Sequence, residues 1–206
     1  MSRYGLFNEI RTTTSSATFF AIQGAISSYP NDPLRNELQE IVKAISSSNN
    51  RSQQCLLMSK GCELTAKAVQ FTEYCVWDYT LVSKIAKSEF SSWVDGINEN
   101  INSKEEYETS NSLVPADTSY FVVTLAILST HISLKTWLEF LELKSHQDFF
   151  TRKSIEQIWN RFAKPTSKIL KNCTNALFIV TPVSKDHYYT GTQLRTDDWD
   201  YLRPVY

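Results

Sequence analysis

LTAKAVQFTEYCVWDYTLVSKIAKSEFSSWVDG, residues 64–96, is the stretch on which the fold turns. Leu64, Ala68, Phe71, Cys75, Tyr79, Val82, Ala86, Phe90 and Trp93 recur at intervals of three or four, the period of an α-helix. Val69, Val76, Trp77 and Ile85 widen the stripe, so the spacing predicts a central helix contacted from several sides. Its start falls near Ser52 and its length is roughly 40 residues. Glycine and proline punctuate local structure most strongly. Neither occurs between Gly61 and Gly96, nor between Pro115 and Pro165, and 206 residues hold only 5 Gly and 6 Pro. Long uninterrupted elements are expected.

Upstream, Thr12–Tyr29 reads as a first helix with Phe19, Ile22 and Ile26 on one face, and Tyr29-Pro-Asn-Asp-Pro33 breaks it. A second helix opens with Asp32 as its cap and Pro33 in the first turn. Leu34, Leu38, Ile41, Val42 and Ile45 form its apolar face, and Ser46–Asn50 ends it. Downstream, residues 96–118 read as a frayed helix end and a solvated acidic loop. Tyr120, Thr124, Ile127, His131, Leu134, Leu138 and Leu141 then alternate by four and three, predicting a helix over 116–144. Ser145 to Asp148 forms a capping box for another, with Ile155, Ile158, Trp159 and Phe162 as its apolar face and Pro165 at its end. Lys168–Cys173 adds a turn or two, and Ala176–Thr181 is a β-type run before Pro182. The expected architecture is all-α: about five helices, two of them long, over residues 1–182, followed by an extended aromatic tail, 183–206.

Composition limits the function classes. The formal charge is −1 and the pI near 6.3, which disfavours a globally basic nucleic-acid binder. Cys55, Cys62, Cys75 and Cys173 form no Cys-x-x-Cys pair, and His131, His146 and His187 are scattered, so metal-ligand spacing is missing. No two glycines lie close enough to build a phosphate loop, and no Glu-x-x-His repeat suggests a carboxylate-bridged metal pair. No catalytic constellation and no cofactor follow from the chain. The low cysteine density points to reduced thiols and a cytoplasmic setting. Ala17–Ile26 makes a poor secretory signal, although Arg3, Arg11 and the hydroxyl run Thr12–Ser16 share the composition of organellar transit peptides. Thr118–Leu134, uncharged if His131 is neutral, holds too many polar residues for a membrane span. Asn50-Arg-Ser and Asn172-Cys-Thr match the glycosylation pattern, which matters only in a secreted protein.

Two segments stand out as candidate binding surfaces. The tail carries Tyr188, Tyr189, Arg195, Trp199, Tyr201 and Arg203, the aromatic and arginine mixture enriched in binding hot spots. The alternative for that tail is to fold back on its own domain. Basic residues concentrate in Lys144, Arg152, Lys153, Arg161, Lys164, Lys168 and Lys171, with only Asp148 and Glu156 opposing them, whereas 95–117 is acidic. The preferred function is a non-enzymatic assembly or adaptor subunit contacting other protein chains in a homo- or hetero-oligomer. The alternatives are a nucleic-acid-associated subunit using the 152–171 face, or a small-molecule or tetrapyrrole binder using Cys62, Cys75 and His131.

Overall fold

The computed structural model describes residues 17–29, 31–102, 119–130, 150–164, 168–184, 187–195, 199 and 201–206, and these form a mixed α/β fold, not an all-α bundle. In chain order come β1 (Thr18–Ser28), α1 (Pro33–Ser47), α2 (Arg51–Lys67), a 3-10 turn (Val69–Phe71), β2 (Thr72–Thr80), α3 (Ser83–Asn102) and β3 (Ser119–Ser129). Then follow α4 (Arg152–Phe162), α5 (Lys168–Asn172), β4 (Cys173–Thr181), β5 (Tyr189–Thr190), a second 3-10 turn (Gln193–Arg195) and β6 (Arg203–Pro204). The strands make one antiparallel sheet in the order β4-β3-β1-β2-β6, with β5 added to the start of β3.

Three predicted helices are therefore corrected. Thr12–Tyr29 and 116–144 yield β1 and β3 over their described parts, and the rod from 52 to 95 is a helix, a strand and a second helix. The residues of β2 explain the last break. TEYCVWDYT is built of β-branched and aromatic side chains that suit a pleated surface and lose rotamer freedom in a helix. The apolar stripe predicted along this stretch is not one buried face: Phe71 is 51% exposed and Val82 56%.

β1 and β3 misled for a different reason. Both run through the middle of the sheet with both faces covered, so Phe19 to Ile26 and Tyr120 to Leu128 are buried without alternation. A strand buried on both sides reads as a continuous apolar run, which periodicity alone cannot tell from a buried helix. Two layers cover them. Phe20, Ile22 and Ile26, with Phe121, Val123, Leu125 and Ile127, face α1, α2, α4 and α5. Phe19, Ala21, Ala126 and Leu128 face Ala86, Phe90 and Trp93 of α3 at one end of the opposite side. At its other end Ala25, Tyr120 and Val122 lie beneath Tyr189, Leu194, Trp199 and Leu202.

Several local expectations hold. Asp32 caps α1 through its carboxylate, accepting from Leu34 N at 2.9 Å and from Arg35 N at 3.5 Å, with Pro33 in the first turn. Asn31 takes the left-handed conformation (φ 62°) in the turn ahead of it, a geometry asparagine tolerates better than most residues. Ile155, Ile158, Trp159 and Phe162 are the buried face of α4, and the run before Pro182 is β4. Helix α2 comes so close to β4 that a Cβ on Gly61 would sit 2.5 Å from Phe178 Cζ. Glycine is what permits that approach.

Candidate functional site

The C-terminal residues are placed by three sets of contacts. Arg35, buried on α1, donates through Nη2 to the carbonyls of Pro182 (3.0 Å) and Ser184 (2.7 Å). Its guanidinium lies 4.3 Å from the centre of the Tyr188 ring, a cation–π stack. Gln39, one turn on, donates to Val183 O at 3.2 Å, and Tyr188 OH donates to Tyr29 O. Burial pulls the Arg35 pKa below its ordinary value while Tyr188 and Asp32 oppose the shift; an arginine starts so high that it stays charged. This buried cation has its carbonyl partners, which is what makes its burial tolerable.

The second set is aromatic. Tyr189 and Trp199 meet edge-on at 4.9 Å, Trp199 and Tyr201 lie 6.0 Å apart, and Tyr74 and Tyr120 make another edge contact. Tyr120 OH donates to Glu73 Oε2 at 2.5 Å. Of the six tail residues singled out in the sequence, Tyr189 and Trp199 are thus buried in the chain's own core, Tyr188 and Tyr201 are half-buried, and Arg195 and Arg203 are exposed.

The third set joins the chain's end to α4. β6 pairs with Tyr74 and Cys75 of β2, and Val205 N donates to Glu73 O. Arg152 N donates to Tyr206 O at 3.0 Å, while its Nη1 reaches the carbonyls of Val69 (3.2 Å), Gln70 (2.7 Å) and Thr72 (3.1 Å). One arginine thereby holds the 3-10 turn carrying Phe71 through its side chain and the terminal tyrosine through its main chain. Tyr206 is 68% exposed, and Arg203, Pro204 and Lys153 are exposed as well. Backbone contacts through Arg152 thus bring segments bearing exposed aromatic and basic residues, from the tail, the turn and α4, to one corner that no single sequence segment contains.

The remaining candidate residues are dispersed. The basic set does not lie on one helix: α4 ends at Phe162, Lys164 follows it outside any helix, and α5 begins at Lys168, so Lys164, Lys168 and Lys171 do not share one helical face. Lys153, Lys164 and Lys171 are exposed, Arg161 is half-buried, and Arg152 is engaged with carbonyls. Of the residues suggested for a small-molecule or tetrapyrrole binder, Cys62 lies on α2 and Cys75 on β2, so they share no helix, and His131 is outside the described residues. Both thiols are buried in the core, and burial raises the pKa of each well above its ordinary value. Among the described residues no group of three or more His, Cys, Asp or Glu side chains is placed to hold a metal ion, and no helix is long and apolar enough to cross a membrane. Comparison with family models, with curated proteins and with solved structures finds no match to this chain.

Proposed function

We propose that this chain is a non-enzymatic subunit that docks another protein at the corner formed by Phe71, Lys153, Arg203 and Tyr206. The observation behind it is the exposure of two large aromatic side chains, Phe71 and Tyr206, around one arginine whose own donors hold both backbones in place. Rigid aromatic anchors beside cations are the composition of binding hot spots, and a pre-organised backbone lowers the ordering entropy that docking costs. The cations favour an acidic partner segment with an apolar residue for the rings. A photo-crosslinking residue placed at Tyr206 or at Phe71 in the cell should give the same discrete protein adduct from both positions. The same residue at exposed Leu56 on α2 should not give it. Equal labelling at all three sites, none at the corner, or adducts only with nucleic acid would sink the reading.

A further inference from the structure

Cys55 on α2 and Cys173 at the head of β4 are 118 positions apart in sequence, yet both donate to one acceptor. Cys55 Sγ lies 3.2 Å and Cys173 Sγ 3.0 Å from the carbonyl oxygen of Leu170, so the two sulfurs are no further apart than those distances together. Arg51, on the first turn of α2, donates through Nη2 to Cys173 Sγ at 2.7 Å and to Cys173 O at 2.9 Å. Two thiols on one carbonyl, with a guanidinium on one sulfur, is a specific arrangement; Cys62 and Cys75 have neither a cation nor a shared acceptor in the hydrogen bonds they make. Both cysteines are free in this structure and only slightly exposed, beside a half-buried arginine.

We propose that Cys55 and Cys173 are an oxidisable dithiol that closes to a disulfide in the presence of a hydroperoxide. Cys173 is the thiol oxidised first, because the Arg51 guanidinium stabilises its thiolate and the sulfur is already oriented by that bond. The thiolate takes one peroxide oxygen, the O–O bond breaks, and the thiol proton leaves with the departing oxygen as water or an alcohol. This step forms a sulfenic acid. Cys55 then attacks the sulfenic sulfur, the S–S bond forms, and the hydroxyl departs with the Cys55 proton as water. The two electrons lost by the sulfurs are the two that reduce the peroxide. The sulfurs share an acceptor, Leu170 O, and must move from that arrangement to the S–S separation of about 2.05 Å that a disulfide needs. Burial works against speed: it pushes the Cys173 thiol up to about 11 despite Arg51. The reaction is therefore slow at neutral pH and accelerates as pH rises toward that value. This inference is independent of the docking corner.

The test uses the full chain, reduced, treated with hydrogen peroxide, quenched with N-ethylmaleimide and digested with trypsin without reduction. Mass spectrometry should find the peptide containing Cys55 (residues 52–60) joined to that containing Cys173 (residues 172–185). Cys62 and Cys75 should take up the reagent only after denaturation. Cys55→Ser should leave Cys173 as sulfenic acid or its higher oxides, trapped with a sulfenic-specific probe, and Arg51→Gln should slow cross-linking several-fold with the thermal midpoint checked in parallel. A linked peptide that vanishes on dithiothreitol and raises the thermal midpoint of the wild-type chain supports the pair. Both thiols remaining free, or Cys62 or Cys75 oxidising first, would overturn it, and wild-type protein alone is enough to see either result.

Discussion

Gly61 shows how much one missing methyl group decides. Alanine is the better helix former by about 1 kcal/mol, so on propensity alone Gly61→Ala should stabilise α2. The new Cβ would meet Phe178 Cζ at 2.5 Å and Cε1 at 2.7 Å, and that ring is buried in the main core. Overpacking of this kind costs roughly 1–3 kcal/mol, so the net expectation is a loss, read as a lower urea midpoint. Adding Phe178→Leu, which clears the ring, should recover part of it. A midpoint unchanged or raised in Gly61→Ala alone would show that the helix and strand separate easily. The buried thiols carry a second residue-scale expectation. Burial raises Cys62, Cys75 and Cys173 above their ordinary value of 9.0, and Tyr79 above 10.0. Such groups keep their protons longer folded than unfolded, so their stabilisation is intact below about pH 9 and is lost as pH climbs through the folded values. Urea stability should fall between about pH 9 and 11, by up to about 1.4 kcal/mol per pH unit for each thiol. The fall should be shallower in Cys62→Ala and Cys75→Ala, and a flat profile would contradict it.

Elements here are set by their ends as much as by their interiors. The carboxylate of Asp32 takes two backbone donors of α1 and a hydrogen bond from Ser28 Oγ at 2.9 Å, so it fastens the last residue of β1 to the first turn of the helix. Asn50 does the same for α2, accepting from Ser52 N and Gln53 N. Losing such a cap costs about 1 kcal/mol on average. Asp32 is buried and serves two elements, so Asp32→Ala should lower the unfolding free energy by about 1–2 kcal/mol, more than Asn50→Ala at its exposed site. Denaturant titrations of the two variants side by side would check the order, and an equal loss would mean that the Ser28 bond contributes nothing. Exposed ion pairs between elements, such as Lys60 with Glu37 of α1, add little by comparison.

At the scale of the molecule the sheet is covered on one side by four helices and on the other by α3 together with the C-terminal residues. Removing residues 183–206 would take Tyr189, Leu194, Trp199, Leu202 and Val205 from the core and leave Ala25, Tyr120 and Val122 open to water. It would also leave Arg35 buried without its Ser184 acceptor and its Tyr188 ring. Truncation is therefore expected to abolish cooperative unfolding, with dye binding to exposed apolar surface, while point changes at exposed Arg203 or Tyr206 leave the thermal midpoint within a degree or two. A truncated chain that still melts cooperatively would show these residues to be an appendage.

From the sequence alone one can derive what depends on neighbours along the chain. Asp32-Pro33 starts a helix because a carboxylate and a fixed φ act within one turn, the Ile155 to Phe162 face follows from a 3.6 period, and Ala176–Thr181 is a strand by composition and its proline. What escaped was everything fixed by residues far away. Residues 72–80 and 119–129 match a helical spacing as well as a strand; pairing with β1 selects the extended form in both, and for 119–129 cover from both sides does so too. The docking corner and the Cys55–Cys173 pair were hidden for the same cause: Arg152 meets Gln70, and Leu170 meets Cys55, across more than 80 residues of chain. Local chemistry names the pieces; burial against distant partners chooses which of their possible shapes is stable.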